Sequence, residues 1–106
     1  MIVDTSAILA ILFAEDDAPA FANALSSKGV HKISVANFLE AAIVIDSQLG
    51  AKAGRQLDAL IARAELVITT VNFEQVHVAR QAYLDFGKGN HVAGLNFGDC
   101  FAYALT

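Results

Sequence analysis

The chain opens Met1-Ile2-Val3-Asp4-Thr5-Ser6-Ala7, and this stretch decides the fold class. Met1-Ile2-Val3 is an apolar run too short for a helix, and it stops at an acid followed by two hydroxyl side chains. It reads as a buried strand, with Asp4-Thr5-Ser6 as a strand-to-helix turn. The apolar run from Ala7 to Ala14 then reads as a short helix.

The same alternation continues outward from this start. A second helix is expected from near Asp16 to about Ser27, with Asp17 placed to cap it, Pro19 in its first turn and Lys28-Gly29 ending it. His31-Lys32-Ile33-Ser34 is a weak strand that leads into a helix from about Val35 to Leu49, stopped by Gly50. Residues 51–64 form another helix, with Leu57, Leu60 and Ile61 on one face. Leu66 to Val71 is apolar and β-branched, the clearest strand in the chain. Phe73 to Phe86 is helical, with Val76, Ala79, Tyr83 and Phe86 at helical spacing. Gly87 to Gly94 is a loop, and Asn96 opens a last helix still running at Thr106.

Strands alternating with helices predict an α/β fold, a parallel sheet covered on both faces. Without repeats or linkers, residues 1–106 form a single domain. Three short strands are few for this many helices, and no cap or closing strand follows Leu105, so the expectation is a domain that is C-terminally incomplete.

Bulk composition narrows the function classes. With 56% hydrophobic and 17% charged residues, the chain has enough apolar surface to build a core without disulfides. A mean hydropathy of +0.50 leaves two readings open, apolar surface kept for a partner subunit or a deeply buried sheet. No apolar stretch is long enough to span a membrane. The run Ala7 to Ala14 followed by Ala18-Pro19-Ala20 imitates a secretion signal, but no Lys or Arg precedes it and Asp4 interrupts the lead. A single cysteine, Cys100, fits a reducing, cytoplasmic setting. A net charge of −4 argues against nucleic-acid binding through a broad basic face, but leaves room for a nuclease whose metal holds the phosphate.

Three acids stand out. Asp4 lies at the carboxyl end of the first strand, where open α/β sheets bind ligands; alternatively it only caps the first helix. Glu40 lies early in the third helix among Ala36, Leu39, Ile43 and Val44, company in which a carboxylate is not fully solvated; alternatively it belongs to a solvated stripe with Asn37 and Ser47. Asp99 follows Asn96 by three residues, the spacing of a capping box; alternatively the stretch from Gly94 to Gly98 aims it at the same cleft. Taken together, the three suggest one acidic site. Crowded carboxylates repel one another unless a cation lies among them, and oxygen donors without a His or Cys cluster favour Mg²⁺ or Mn²⁺. Such a site suits phosphodiester hydrolysis.

Other residues rank lower. Gly87-Lys88-Gly89-Asn90-His91 reads as a surface turn or a basic loop for a phosphate backbone, and Arg80 as a solvated helix residue or an RNA contact. Cys100 has no His partner and reads as a small buried residue. Phe97, Phe101 and Tyr103 read as core rather than as a base-stacking platform.

These blocks resemble a known family. Ile2-Val3-Asp4-Thr5-Ser6-Ala7, Asn37-Phe38-Leu39-Glu40-Ala41-Ala42, and the segment from Gly87-Lys88-Gly89 through Gly98-Asp99-Cys100-Phe101-Ala102-Tyr103-Ala104 resemble the three acidic motifs of PIN-domain ribonucleases, especially VapC-type toxins of bacterial toxin–antitoxin pairs. The third block is the most specific. The resemblance implies a three-layer α/β/α fold and Mg²⁺- or Mn²⁺-dependent endoribonuclease activity on RNA. It also implies a homodimer and inhibition by a VapB-like antitoxin. It places metal ligands at Asp4 and Asp99, completes the acidic site with Glu40, and gives Ser6 a supporting role. The family usually carries one or two further strands, often with a fourth acid. Two other readings stay open: a truncated, catalytically weak domain that serves as an antitoxin or dimer interaction module, and a phosphohydrolase or phosphoacceptor using Asp4.

Overall fold

The computed structural model describes residues 1–87 and 96–106. In chain order these form β1 (Ile2–Val3), α1 (Thr5–Leu12), α2 (Ala18–Ser26), β2 (Lys32–Ser34), α3 (Val35–Leu49), α4 (Ala51–Arg63), β3 (Val67–Thr69), α5 (Phe73–Phe86) and α6 (Phe97–Leu105). The loop expected between α5 and α6, with its Lys88 and His91, lies outside the described residues.

The strands form one parallel sheet in the order β1-β2-β3. Ile2 pairs with Lys32 and Val3 with Ile33; Lys32, Ile33 and Ser34 then pair with Val67, Ile68 and Thr69. Parallel strands need helical crossovers, so helices cover the sheet in a three-layer α/β/α arrangement. Parallel pairing also brings all strand carboxyl ends to one edge. There β1 runs into α1 through Asp4, and β2 runs straight into α3.

The core gathers Val3 and Ile33 from the sheet, Ile8, Leu25, Ala41 and Leu57 from the helices, and Leu66. As expected, Leu57 faces inward with Leu60 and Ile61 packed beside it. On α3, Asn37, Ala41 and Ile45 form the buried stripe at a spacing of four.

Helix starts follow side-chain chemistry. Asp4, Ser34, Asn72 and Asn96 each accept a backbone N–H from the first turn of the following helix. Because Asp4 caps, α1 begins at Thr5, two residues before the apolar run. Asp17 occupies the cap position of α2, but its backbone is already helical and its side chain caps nothing; Pro19 does fall in the first turn.

Helix ends were harder to read. α1 stops at Leu12, not Ala14. Ala14 takes φ +53° while its N–H and that of Glu15 reach back to Ile11 O and Ala10 O at 3.2 and 2.9 Å. Glu65 closes α4 in the same way with Leu66. Both are left-handed terminations of the kind glycine favours, made here without glycine, so the sequence shows no stop signal.

Two other expectations change. The strand predicted over Leu66 to Val71 shortens to three residues, and Val67 and Ile68 are exposed on the sheet edge. On α5 the buried positions are Ala79 and Ala82, while Val76 and Tyr83 lie open.

Gly50 joins α3 to α4 with φ +84° and ψ −171°, a region open essentially to glycine alone. A Cβ there would meet nothing within 4 Å, so any cost of substitution is backbone strain. Gly50→Ala is expected to destabilise the fold by about 1–3 kcal/mol, lowering Tm by roughly 5 °C or more in a thermal melt. An unchanged Tm would contradict this conformation.

Candidate functional site

At the strand-end edge of the sheet a cavity of about 230 Å³ opens, and its lining includes Asp4, Thr5, Ser6, Asn37, Glu40, Gly98 and Asp99. The three acids singled out from sequence therefore face one space, Asp4 and Asp99 from helix starts and Glu40 from the second turn of α3. The lining holds three carboxylates and no Lys, Arg or His among the described residues.

Asp4 and Asp99 each do local structural work with one carboxylate oxygen. Oδ1 of Asp4 accepts from the Ala7 N–H at 3.0 Å and from the Ser6 hydroxyl at 2.8 Å. Oδ2 of Asp99 accepts from the Asn96 N–H at 3.0 Å, and Asn96 Oδ1 accepts from the Asp99 N–H at 2.9 Å, closing the capping box. Capping and cavity-lining are thus compatible. Oδ2 of Asp4 and Oδ1 of Asp99 have no hydrogen-bond partner among the described residues. Ser6 supports Asp4 directly.

Glu40 differs from the other two. It is exposed, as the alternative of a solvated stripe has it. Its carboxylate lies over Gly98: a Cβ at that glycine would stand 2.6 Å from Oε1. The missing side chain at residue 98 is what lets Glu40 reach across to the start of α6. Among the described residues no three His, Cys, Asp or Glu side chains form a ready-made metal cluster. The acids share a cavity, with their carboxylates turned to different local partners.

The alternative of a solvated stripe through Asn37, Glu40 and Ser47 fails at Asn37, which is only 1% exposed. Its Nδ2 donates to Gly98 O at 2.9 Å and to Thr5 Oγ1 at 3.1 Å, and the Thr5 hydroxyl donates to Asn37 O at 3.2 Å. These bonds tie α1 and α6 to α3. The signal was present in the spacing, since 37, 41 and 45 form one face with Ala41 and Ile45.

Around the acid cavity the surface is apolar. A cleft of about 540 Å³ between α5 and α6 is lined by Ala79, Arg80, Tyr83, Asn96, Phe97 and Cys100, among others. Arg80 is exposed at this cleft. Phe97, read from sequence as core, is 76% exposed and stacks edge-on against Phe101 at 4.9 Å. Tyr103 is 44% exposed as well. Cys100 is buried, as expected, and burial pushes its thiol up, with the negative charge of Asp99 adding to the effect. Both effects work against the thiolate, the form a nucleophilic cysteine needs.

Gly98→Ala separates the two roles of this position. Alanine suits a helical turn better than glycine by up to about 1 kcal/mol, and the crowded atom is the mobile end of Glu40. Tm is expected to stay within about 5 °C of the parent, while a crystal structure of the variant shows the Glu40 carboxylate displaced from residue 98. An undisturbed Glu40 would contradict the close approach.

Comparison with known proteins identifies the family. The family model for the PIN domain matches residues 1–106. The chain is 56% identical over 107 aligned positions to Ribonuclease VapC28 of Mycobacterium tuberculosis, covering 100% of this chain and 80% of that protein. It is 48% identical to Ribonuclease VapC of Mycolicibacterium smegmatis, covering 100% of this chain and 82% of the relative. It is 44% identical to Ribonuclease VapC30 of M. tuberculosis, covering 100% and 81%. A match over the whole chain, together with relatives of this similarity, establishes that the chain belongs to the PIN-domain family, among its VapC-type members.

Proposed function

We propose that the chain is the ribonuclease toxin of a toxin–antitoxin pair, an endoribonuclease that hydrolyses RNA phosphodiester bonds at the cavity lined by Asp4, Glu40 and Asp99. The observation that carries this is the gathering of three acids, remote in sequence, on one cavity without a cationic side chain among the described residues. The names of its relatives, which are ribonucleases, supply the substrate class.

The donor set suits Mg²⁺ or Mn²⁺. Carboxylates are hard oxygen ligands, and Mg²⁺ usually takes one or two of them and keeps several waters. Asp4 Oδ2 and Asp99 Oδ1, the oxygens not used in capping, are the ones that would hold it. When bound, such an ion would lower the pKa of a water and stabilise charge on the phosphate oxygens. Glu40, on the longest and most exposed of the three acidic side chains, is suited to orient the attacking water or take its proton. Ser6 holds Asp4 in orientation. Arg80, at the neighbouring cleft, offers a positive contact for an RNA phosphate.

Apolar surface beside the site supports the partners the family implies. Leu39 and Ile43 on α3 are 58% and 57% exposed, and Phe97 lies nearby on α6. A second copy of the chain and a VapB-like antitoxin are the proposed occupants of such surfaces. Among the described residues no helix is long and apolar enough to cross a membrane.

Asp→Asn substitutions test the proposal cleanly. Asn caps a helix as well as Asp does, so Asp4→Asn preserves the start of α1; Asp99→Asn leaves the Asn96 cap of α6 in place and keeps an amide oxygen able to accept from the Asn96 N–H, and each variant removes charge. Each is expected to reduce Mg²⁺- or Mn²⁺-dependent cleavage of RNA on the order of 100-fold, with Tm nearly unchanged. Full activity in both variants, or cleavage that persists in a chelator, would overturn the reading.

A further inference from the structure

We propose that Asn37 is a positioning residue of the acid site: its side-chain amide sets how Asp4 and Asp99 face a shared divalent cation, and thereby how tightly that cation is held. The inference rests on the cation-dependent reading above and deepens it.

The amide's orientation follows from its partners. Gly98 O can only accept, so the group facing it at 2.9 Å must be Nδ2. The second hydrogen of Nδ2 goes to Thr5 Oγ1, whose own hydrogen returns to Asn37 O. Every donor in this cycle is used. Thr5 directly follows Asp4, and Gly98 directly precedes Asp99, so each contact is one residue from an acid. Glu40 is three residues further along the helix that carries Asn37. One amide thus reaches the neighbour of each proposed ligand.

Packing of the buried stripe alone does not explain this residue type. The rest of the buried stripe is Ala41 and Ile45, and a third apolar side chain would complete it. Asn37 Oδ1 is instead buried with no hydrogen-bond partner among the described residues, which carries a desolvation cost. It also lines the acid cavity. A costly polar group at the meeting point of the acid-bearing segments is better explained by what it orients. The logic is that of outer-shell partners in metal sites, which fix ligands they do not replace.

The test compares wild type, Asn37→Ala, Thr5→Val and Thr5→Ser. The Mn²⁺ dissociation constant is measured from free-ion electron paramagnetic resonance on folded protein, well below each Tm, beside kcat and KM on RNA. Asn37→Ala is expected to weaken Mn²⁺ binding about 10-fold or more, with KM for RNA changed less than about threefold and kcat reduced. Thr5→Val shows a smaller loss in the same direction, and Thr5→Ser, which keeps the hydroxyl, matches wild type. A merely structural role would lower Tm and leave the Mn²⁺ affinity of the folded protein unchanged; that result overturns the inference. Should Asn37→Ala not fold, the Thr5 pair decides: equal Mn²⁺ affinity in Thr5→Val and Thr5→Ser overturns it, and weaker binding in Thr5→Val alone upholds it. A wild-type chain that binds no Mn²⁺ refutes the cation-dependent reading itself, and the inference with it. Unaltered binding in the variants refutes positioning alone.

Discussion

The hydrogen bonds of the Asn37 amide, buried where α1, α3 and α6 meet, are the constraint on which the site depends. A buried amide donor left unmet costs about 1–3 kcal/mol, and both N–H groups of the Asn37 amide are met. The two donors of Asn37 therefore hold their partners firmly. Because those partners adjoin Asp4 and Asp99, a local demand of burial fixes the relation between residues far apart in the chain. The parallel sheet sets the larger frame by bringing the ends of β1 and β2 to one edge.

This arrangement also explains how the acids serve two purposes. A helix start needs acceptors for its free N–H groups, and Asp4 and Asp99 supply them with one oxygen each. The helix N-terminus in turn favours the negative charge. Capping thus orients each carboxylate, with its second oxygen left for the cavity. Glu40 is held differently, by space: the bare Gly98 gives it room.

Much of the fold was legible in the sequence, for identifiable reasons. The strand-to-helix turn at Asp4, the capping box of Asn96 and Asp99, and the stop at Gly50 are short-range signals with direct chemical causes. What escaped were features set by tertiary context. Ala14 and Glu65 adopt left-handed conformations without the glycine that would announce them. Apolar residues such as Val67 and Phe97 lie open because the sheet edge and helix packing decide their burial, which composition cannot. The three acids stand out by type and order, but the contacts of Asn37 and Gly98 do not, because they reach across dozens of residues. The buried-stripe spacing at 37, 41 and 45 was the one local sign.

The central claim is that Asp4 and Asp99, brought together by the fold, serve one cation. Anomalous diffraction from a crystal of the chain soaked in Mn²⁺ tests it most directly. The account predicts a single strong Mn²⁺ peak in the acid cavity, bonded to a carboxylate oxygen of both Asp4 and Asp99. A peak held by only one of these acids, or Mn²⁺ found elsewhere with the cavity empty, would contradict it.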